Sequence, residues 1–372
     1  MGNILGGMLP IKAENYLDRS EAKWAHPLLK DAWENEGIPT LSASYDFTVP
    51  REEKLAQYKA TREMFQNPDF ATQSPDKEPV TQEARDYSEK LTFEVSGCPE
   101  EEDAPPVTVV VYAPKDRSKK YPVILYLPGG GLVSAFAGMF DKDLIKMSYR
   151  YKAVVVCPDY RTVLQDLYPA PINDCHAVYK WIVENTENLP VDPDNVTIGG
   201  ISSGAHIALS LGFRLKRYGY QPRGIVAMNP ITDDRMNKTS SRYFTYPGDW
   251  DGHCVKECSV AYLGPYRSGS SAVGPEAFAN YATVEQCKGY APTFIETVEF
   301  DPDRDYCSEF ARKLQEAGTF VEYHCFGGGS HSSTALDSSG IDEYTKVLME
   351  PFNRAFGWFS RMDFRRPWIE TD

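Results

Sequence analysis

The sequence lacks three features that mark large classes of protein. No apolar run is long enough to cross a bilayer. The first 16 residues have neither the basic start nor the apolar core of a secretory signal. Positive charge is scarce as well, because 39 Lys and Arg face 53 Asp and Glu and leave a net charge of −14. Such a charge repels polyanions, so we expect a protein that binds neither nucleic acid nor membranes. Because the sequence shows neither a secretory signal nor a membrane span, we expect a cytoplasmic location.

Closely spaced cysteines are also scarce. The eight cysteines are scattered through 372 residues, and several lie in apolar runs, which is typical of reduced core residues. His253, Cys254 and Cys258 lie close together, but a metal site needs three or four ligands and no second cluster is nearby. We therefore predict no metal site and no cofactor.

Short apolar runs begin near residue 91 and alternate with helical patterns. Residues 107–112, 123–127 and 153–156 are apolar without alternation, as strands that are covered on both faces require. Residues 205–215 are apolar nearly all round and predict a buried helix. The strand–helix alternation predicts an α/β protein with a mostly parallel, doubly wound sheet.

Two stretches depart from this alternation. Residues 1–85 are polar, with helical patterns at 20–34 and 52–65. Residues 232–290 are polar, aromatic and irregular. An insertion of that length inside a regular fold is typically a lid or part of a binding site.

A Gly-x-Ser-x-Gly pattern occupies residues 200–204. The pattern is common by chance, but here it follows a predicted strand at 196–198 and opens the buried helix. That strand–turn–helix setting is the one that a nucleophile elbow demands, with the Ser202 hydroxyl pushed out above the sheet edge. The alternative is a tight turn with a helix-capping serine. Ser203 is the rival hydroxyl, but the glycine spacing favours Ser202.

A serine nucleophile needs a base, and in this fold the chain order is serine, acid, histidine. His331 follows a predicted strand at 320–326 and a run of glycines, in a loop that can reach the sheet edge. His324 lies inside that strand, and we interpret it as structural. His206 is too close to Ser202 on the same helix, and we interpret it as a packed helix residue.

The candidate acids follow another predicted strand, at 294–298. Asp301 is preferred because catalytic groups gather at the carboxyl ends of parallel strands. Glu299 and Asp303 remain alternatives. Asp305 is expected to cap the helix that follows.

A glycine loop at 127–132 directly follows the predicted strand 123–127. Glycine lets the backbone turn its N–H groups toward a negatively charged oxygen. The amides of Gly130, Gly131 and Ser203 are therefore candidates for an oxyanion hole. A nucleotide-binding loop is the rival interpretation, but no Lys-Ser/Thr follows and the dinucleotide spacing is absent.

In this order, the residues resemble the hormone-sensitive-lipase-like family of esterases. The matching blocks are residues 127–131, 158–161, 169–181, 200–204, 301–305 and 331. The resemblance implies an α/β-hydrolase catalytic domain with an eight-stranded sheet over residues 86–372, and a helical cap made of residues 1–85 and 232–290. It also implies that Ser202, Asp301 and His331 form a catalytic triad.

The sequence departs from the family pattern at three places. Pro128 stands where the glycine loop normally opens with histidine, and proline cannot make the supporting side-chain hydrogen bonds. Ser-Gly-Ala-His at 203–206 replaces the usual Ala-Gly-Gly-Asn, and Thr-Val-Leu at 162–164 replaces Leu-Ala-Pro. These departures indicate a divergent branch with an unusual substrate.

The predicted function is hydrolysis of a small or medium carboxylic ester through an acyl-enzyme. Lactone opening or acyl transfer on a natural product uses the same triad and is the alternative. A non-catalytic hormone receptor is less favoured, because receptors of this family have lost the histidine that this chain keeps as His331. The expected partner is a small-molecule ester, and a homodimer is compatible with the sequence. The predicted substrate-binding residues are Leu132, Phe136, Tyr243, Phe244 and Trp250.

Overall fold

The computed structural model describes residues 49–66, 79–184, 189–244, 250–266, 268–331 and 342–365. Its strands are β1 (Ser88–Val95), β2 (Val107–Pro114), β3 (Tyr121–Leu127), β4 (Val154–Pro158), β5 (Val191–Ile201), β6 (Gly224–Met228), β7 (Thr293–Phe300) and β8 (Val321–Ser330). Its α-helices are α1 (Arg51–Gln66), α2 (Gln82–Tyr87), α3 (Asp141–Tyr151), α4 (Ala170–Glu184), α5 (Ser203–Arg217), α6 (Thr239–Tyr243), α7 (Gly252–Leu263), α8 (Val284–Cys287), α9 (Arg304–Glu316) and α10 (Asp342–Arg361). A 3-10 turn spans Ala279–Tyr281.

The eight strands form one sheet in the order β1-β2-β4-β3-β5-β6-β7-β8. β1 pairs antiparallel with β2, and β2 pairs antiparallel with β4. The pairs from β4 to β8 are all parallel. The predicted fold, an eight-stranded and mostly parallel sheet of the doubly wound kind, is confirmed.

Both faces of the central strands are buried, which explains their unbroken apolar runs. On one face, side chains such as Val123 and Leu125 of β3 pack with Ile207 of α5. On the other face, Ile124 packs in a second core with Phe356 of α10. Successive residues of a strand point to opposite faces, so a strand between two helical layers has to be apolar at every position.

The helices predicted at 205–215 and 52–65 are α5 and α1. The helical pattern at 20–34 lies outside the described residues. In the insertion, α7 is a helix that the sequence did not indicate. Most of its residues are buried, including Cys254, Val255, Cys258 and Tyr262, so it lacks the polar stripe that reveals an amphipathic helix.

Asp305 does not cap the helix that follows β7. α9 begins at Arg304, so Asp305 lies within its first turn, where its carboxylate accepts the Ser240 N–H at 2.9 Å. The expected cap is therefore wrong, and the carboxylate instead joins α9 to the start of α6. Within the described part of the chain, no helix is long and apolar enough to cross a membrane.

Candidate active site

Ser202 forms the sharp turn between β5 and α5. Its φ of 58° and ψ of −124° are unusual for a residue with a side chain. A Cβ atom on Gly204 would lie 1.9 Å from the carbonyl oxygen of Leu127, and one on Gly200 would lie 2.2 Å from the same oxygen. Only glycine fits on both sides of the turn, which explains the spacing of the sequence pattern.

Two hydrogen bonds connect Ser202, His331 and Asp301. The Oγ atom of Ser202 lies 2.8 Å from Nε2 of His331, and Nδ1 of His331 lies 2.6 Å from Oδ2 of Asp301. The second oxygen of Asp301 accepts the Asp303 N–H at 2.8 Å. Asp301 is fully buried and His331 is 9% exposed. With its proton on Nδ1, the imidazole can accept the serine proton while the carboxylate holds the ring in place.

The pairing of β7 with β8 brings the acid and the histidine together. Phe300 pairs with Ser330 at the ends of these parallel strands. The next residue along each strand is Asp301 and His331, so the two side chains meet although 30 positions separate them. This edge is the carboxyl end of the parallel strands, where Ser202 also lies.

Glycines in β8 produce this register. The sequence interpretation ended the strand at residue 326 and placed His331 after a glycine loop, but β8 continues through the glycines to Ser330. The pairing shifts register between Val298 and Phe300, and Gly328 has a φ of 81° in the facing segment. The interpretation of a flexible loop is therefore wrong, because glycine is used here for an irregularity inside the strand.

The alternative acids lie beside Asp301 and have other surroundings. Glu299 accepts the Gly328 N–H at 2.8 Å. Asp303 is fully buried. Burial and the neighbouring carboxylates of Asp301 and Asp233 raise the pKa of Asp303 well above its ordinary value. The shift favours the neutral form of Asp303 and makes this residue a poorer source of the negative charge that an imidazolium needs.

The two other histidines that the sequence placed near the site have structural partners. His206 Nδ1 lies 2.8 Å from the Ile231 carbonyl oxygen, and burial lowers the His206 pKa to about 4. His324 Nε2 lies 2.6 Å from the carboxylate of Glu322. Neither histidine is hydrogen-bonded to Ser202.

The predicted oxyanion donors Gly130, Gly131 and Ser203 lie in the glycine loop and at the start of α5. Gly130 and Gly131 have φ values of 143° and 61°, and among the described residues neither N–H enters a backbone hydrogen bond. A Cβ atom on Gly129 would lie 3.4 Å from the Cβ of Ser202, so the glycine loop packs against the turn. Ser203 is the first residue of α5, where N–H groups have no partner within the helix.

Comparison with known proteins agrees with this arrangement. Residues 124–335, more than half of the chain, match the family model described as the alpha/beta hydrolase fold. The chain belongs to the α/β-hydrolase family. Its relatives place it in the hormone-sensitive-lipase-like branch, as the sequence resemblance implies.

Curated relatives of this hydrolase are named esterases. Versiconal hemiacetal acetate esterase of Dothistroma septosporum is 27% identical over 258 residues, which cover 67% of this chain and 76% of the relative. Carboxylesterase NlhH of Mycobacterium tuberculosis is 28% identical over 222 residues, which cover 58% and 67%. The predicted class of enzyme, a carboxylic ester hydrolase, is confirmed.

Solved structures share the fold of the hydrolase. A bacterial heroin esterase superposes with a TM-score of 0.71 at 24% identity, over 91% of this chain and 98% of that chain. A thermostable esterase from Pseudomonas putida superposes with a TM-score of 0.69 at 20% identity, over 92% and 98%. At these identities the likeness concerns the fold alone.

Pro128 of the hydrolase is braced by a tyrosine. The Tyr160 hydroxyl donates to the Pro128 carbonyl oxygen at 2.5 Å, and both groups are buried. The Ser134 N–H and hydroxyl donate to the Gly130 carbonyl oxygen at 2.9 and 3.0 Å. These bonds fix the glycine loop without a histidine at its start. The sequence reasoning missed Tyr160, although it lies within the matching block 158–161.

Asn229 is a second residue that the sequence reasoning missed. It directly follows β6 and has a φ of 47°. Its Nδ2 lies 3.4 Å from the carbonyl oxygen of His331, and its N–H donates to the Glu296 carbonyl oxygen at 2.7 Å. A polar residue at the carboxyl end of a parallel strand was the signal that could have found it.

The structure places three of the predicted substrate-binding residues, Leu132, Phe136 and Trp250, near the glycine loop or the predicted catalytic histidine. The Trp250 ring lies 5.7 Å from the His331 ring, and a Cβ atom on Gly131 would lie 2.7 Å from the indole. Leu132 and Phe136 are buried within the glycine loop and the turn that follows it. Trp250 is therefore the predicted pocket residue that the structure places directly against the histidine.

The other two predicted pocket residues belong to α6 and its end. The Phe244 ring packs against Phe300, with 5.6 Å between ring centroids, and the Arg304 guanidinium lies 5.0 Å from the Phe244 ring centre. Phe244 thus contacts the end of β7 and the start of α9. The side chain of Tyr243 lies outside the described part of the chain.

Proposed function

We propose that this hydrolase is a serine carboxylesterase in which Ser202 is the nucleophile, His331 the general base and acid, and Asp301 the residue that orients the imidazole. The observation that carries the proposal is the pair of hydrogen bonds of 2.8 and 2.6 Å that joins the three side chains. A serine hydroxyl is a weak nucleophile at neutral pH, and this arrangement gives its proton a destination.

The reaction passes through an acyl-enzyme. Ser202 Oγ attacks the carbonyl carbon of the ester while its proton moves to Nε2 of His331. The tetrahedral intermediate then expels the alcohol oxygen, which takes that proton. A water molecule gives a proton to the same nitrogen and attacks the acyl group, and the carboxylic acid leaves as Ser202 regains its proton.

The negative oxygen of the intermediate needs preorganised donors. We assign this role to the N–H groups of Gly130, Gly131 and Ser203, which lie on the loop and the helix start that meet at the serine. Loss of one such donor typically reduces the rate by about 10²–10³. The bond from Tyr160 to Pro128 supports the assignment, because it fixes the loop that carries two of the three donors.

We infer that the substrate site lies between the sheet edge and a cap, to which α1 of the predicted segment 1–85 and the described residues of the segment 232–290 contribute. From the first segment, Tyr58 of α1 is buried in the main core, and Arg62 pairs with Asp159 at 2.6 Å. From the second, Trp250 lies against His331. Leu132, Phe136 and Phe244 are further candidates for the walls, with Tyr243 beside them in the chain.

The substrate is a small or medium carboxylic ester. One relative is named for an acetate ester and another, from Pseudomonas putida, is named ethyl acetate hydrolase. Ester hydrolysis is sufficient to explain the names of these relatives. Lactone opening, acyl transfer and a receptor role are therefore not needed. A reducing, cytoplasmic compartment is part of the proposal, and the eight free thiols agree with it.

Turnover of p-nitrophenyl esters of graded acyl length tests the function. We expect the wild-type protein to hydrolyse the short esters. The Ser202→Ala variant should hydrolyse them at least about 10⁴-fold more slowly, because serine hydrolases that lose their nucleophile show reductions of this size. Ser203→Ala is the matched control, because it removes the neighbouring hydroxyl and keeps the backbone N–H. An active Ser202→Ala variant would sink the proposal.

A further inference from the structure

A second cluster of reactive side chains lies outside the Ser202 site. Cys98 and Glu100 belong to the connection between β1 and β2, and His176 belongs to α4. The sulfur, one carboxylate oxygen and one ring nitrogen all lie within 4.8 Å of one another. We propose that Cys98, Glu100 and His176 bind a Zn²⁺ ion, with water as the fourth ligand.

The three side chains supply the ligand types that zinc prefers, namely a thiolate, a carboxylate and an imidazole. Cys98 Sγ lies 4.0 Å from His176 Nδ1 and 2.7 Å from Glu100 Oε2. Tetrahedral coordination at ordinary bond lengths places such ligand atoms roughly 3.6 Å apart. The sulfur and the nitrogen are near that separation already. Glu100 has to move outward by roughly 1 Å, and its exposed side chain allows the movement.

Neither ring nitrogen of His176 has a close hydrogen-bond partner among the described residues. The residue is fully buried, its Nδ1 faces the Cys98 sulfur at a long 4.0 Å, and its Nε2 has no hydrogen-bond partner among the described residues. A neutral imidazole keeps a lone pair on one ring nitrogen, and zinc binds histidine through that lone pair. The Tyr218 ring, 4.7 Å away, packs against the imidazole.

The charges around the cluster are compatible with a divalent cation. Arg214, the positive charge that acts most strongly on His176, is paired with Glu276 and donates to Asn173 at 2.8 Å. Zinc binding would displace the thiol proton into solvent, and the ion with one thiolate and one carboxylate is then neutral overall.

Bound zinc would fasten the β1–β2 connection to α4. The same two segments are already joined through Arg161, which binds Glu101 of the connection at 2.6 Å and Asp174 of α4 at 2.7 Å. The metal adds a second link beside the first. Sequence spacing gives no sign of this site, because 78 positions separate Cys98 from His176. The expectation of no metal site considered only ligands that are close together in the sequence, so it did not include these residues.

Zinc retention by the untagged full chain tests the proposal. Protein is stripped with a chelator, equilibrated with ZnCl₂ and desalted, and its zinc is measured by elemental mass spectrometry. We expect wild type to retain about one zinc per chain, and Cys98→Ser and His176→Gln to retain none. Cys325→Ser is the matched control, because it removes the exposed free thiol, and it should bind as wild type does.

Two further measurements keep the test independent of folding defects. Glu100→Gln changes an exposed side chain, so this variant should fold and turn over p-nitrophenyl acetate normally while its zinc affinity falls at least about tenfold. Cobalt(II) in wild type should give a near-ultraviolet thiolate charge-transfer band that Cys98→Ser lacks. The proposal is overturned if stripped wild type takes up no more zinc than Cys98→Ser, or if cobalt gives no thiolate band. Either result would leave the contact as a thiol–carboxylate hydrogen bond only.

Discussion

The Tyr160 hydroxyl donates a 2.5 Å hydrogen bond to the carbonyl oxygen of Pro128, where the glycine loop begins. The loop contains Gly130 and Gly131, whose N–H groups are two of the three proposed oxyanion donors. A tyrosine outside the loop thus supports the start of the loop, where the resemblance to the hormone-sensitive-lipase-like family implies a histidine. The bond links the block 158–161 to the proposed oxyanion hole.

We expect Tyr160→Phe to lower kcat by roughly tenfold and to change KM little. The substitution leaves the buried Pro128 carbonyl without a partner, which costs about 1–3 kcal/mol and loosens the loop. Steady-state kinetics and thermal unfolding would be measured together.

The matched control for this variant is Tyr290→Phe. The Tyr290 hydroxyl is also buried and donates to the Leu209 carbonyl oxygen at 2.6 Å, away from the loop. It should lose similar stability and keep its kcat. Equal kcat losses in both variants would show that Tyr160 acts through general stability rather than through the loop.

Asp301 and Asp303 provide a comparison between two buried carboxyl groups. Asp301→Asn should reduce kcat by about 10³–10⁴, because an amide favours the wrong tautomer of His331. Burial and the carboxylates of Asp301 and Asp233 raise the pKa of Asp303 and favour its neutral form. Asp303→Asn should therefore keep its activity. The kcat of both variants would be measured at pH 7.5. A larger loss of kcat in Asp303→Asn than in Asp301→Asn would show that Asp303, and not Asp301, is the catalytic acid residue.

Glu296 makes the stability depend on pH. Burial raises the pKa of this β7 carboxyl to about 9 from an ordinary 4.5, and among the described residues neither carboxylate oxygen has a hydrogen-bond partner. The unfolded chain releases the proton near pH 4.5 and the folded chain only near pH 9. Stability is therefore full below pH 4.5 and falls as pH rises toward 9.

We expect Glu296→Gln to remove this dependence. Because the amide stays neutral, the variant should gain about 2–4 kcal/mol over wild type at pH 7.5 and nothing at pH 4.5. Urea unfolding at several pH values measures the difference between the two proteins. Glu316→Gln, at the exposed end of α9, serves as control and should show no such trend. A difference that stays constant with pH would refute the assignment.

Trp250 is expected to limit the size of the acyl group, because its ring lies 5.7 Å from that of His331 and contacts the position of Gly131. Trp250→Ala should raise kcat/KM for long acyl esters relative to short ones by at least about tenfold. Trp181→Ala, which removes a ring packed on Phe93 elsewhere in the molecule, should leave that ratio unchanged. An unchanged ratio in Trp250→Ala would remove this tryptophan from the pocket.

Continuous apolar runs made much of the sheet predictable. The runs at 107–112, 123–127 and 153–156 fall on β2, β3 and β4. Strands buried on both faces must be apolar at every position, so their signal survives without any tertiary information. α7 was not predictable, because its burial depends on what the rest of the insertion packs against.

The proposed active site was likewise predictable from the sequence only in part. Gly200 and Gly204 are required by contacts within the turn itself, so the pattern around Ser202 is visible in the sequence. The position of His331 depends instead on a register shift between β7 and β8, which the glycine run concealed as a loop. Tyr160 supports Pro128 through a contact between distant segments, and a single sequence carries no direct sign of it.

Active-site labelling tests the central claim most directly. The protein would be treated with a fluorophosphonate, digested, and the modified residue located by tandem mass spectrometry. The account predicts a single adduct on Ser202, which forms in wild type, is absent in Ser202→Ala, and forms far more slowly in His331→Gln. An adduct on Ser203, or labelling that persists in Ser202→Ala, would contradict it.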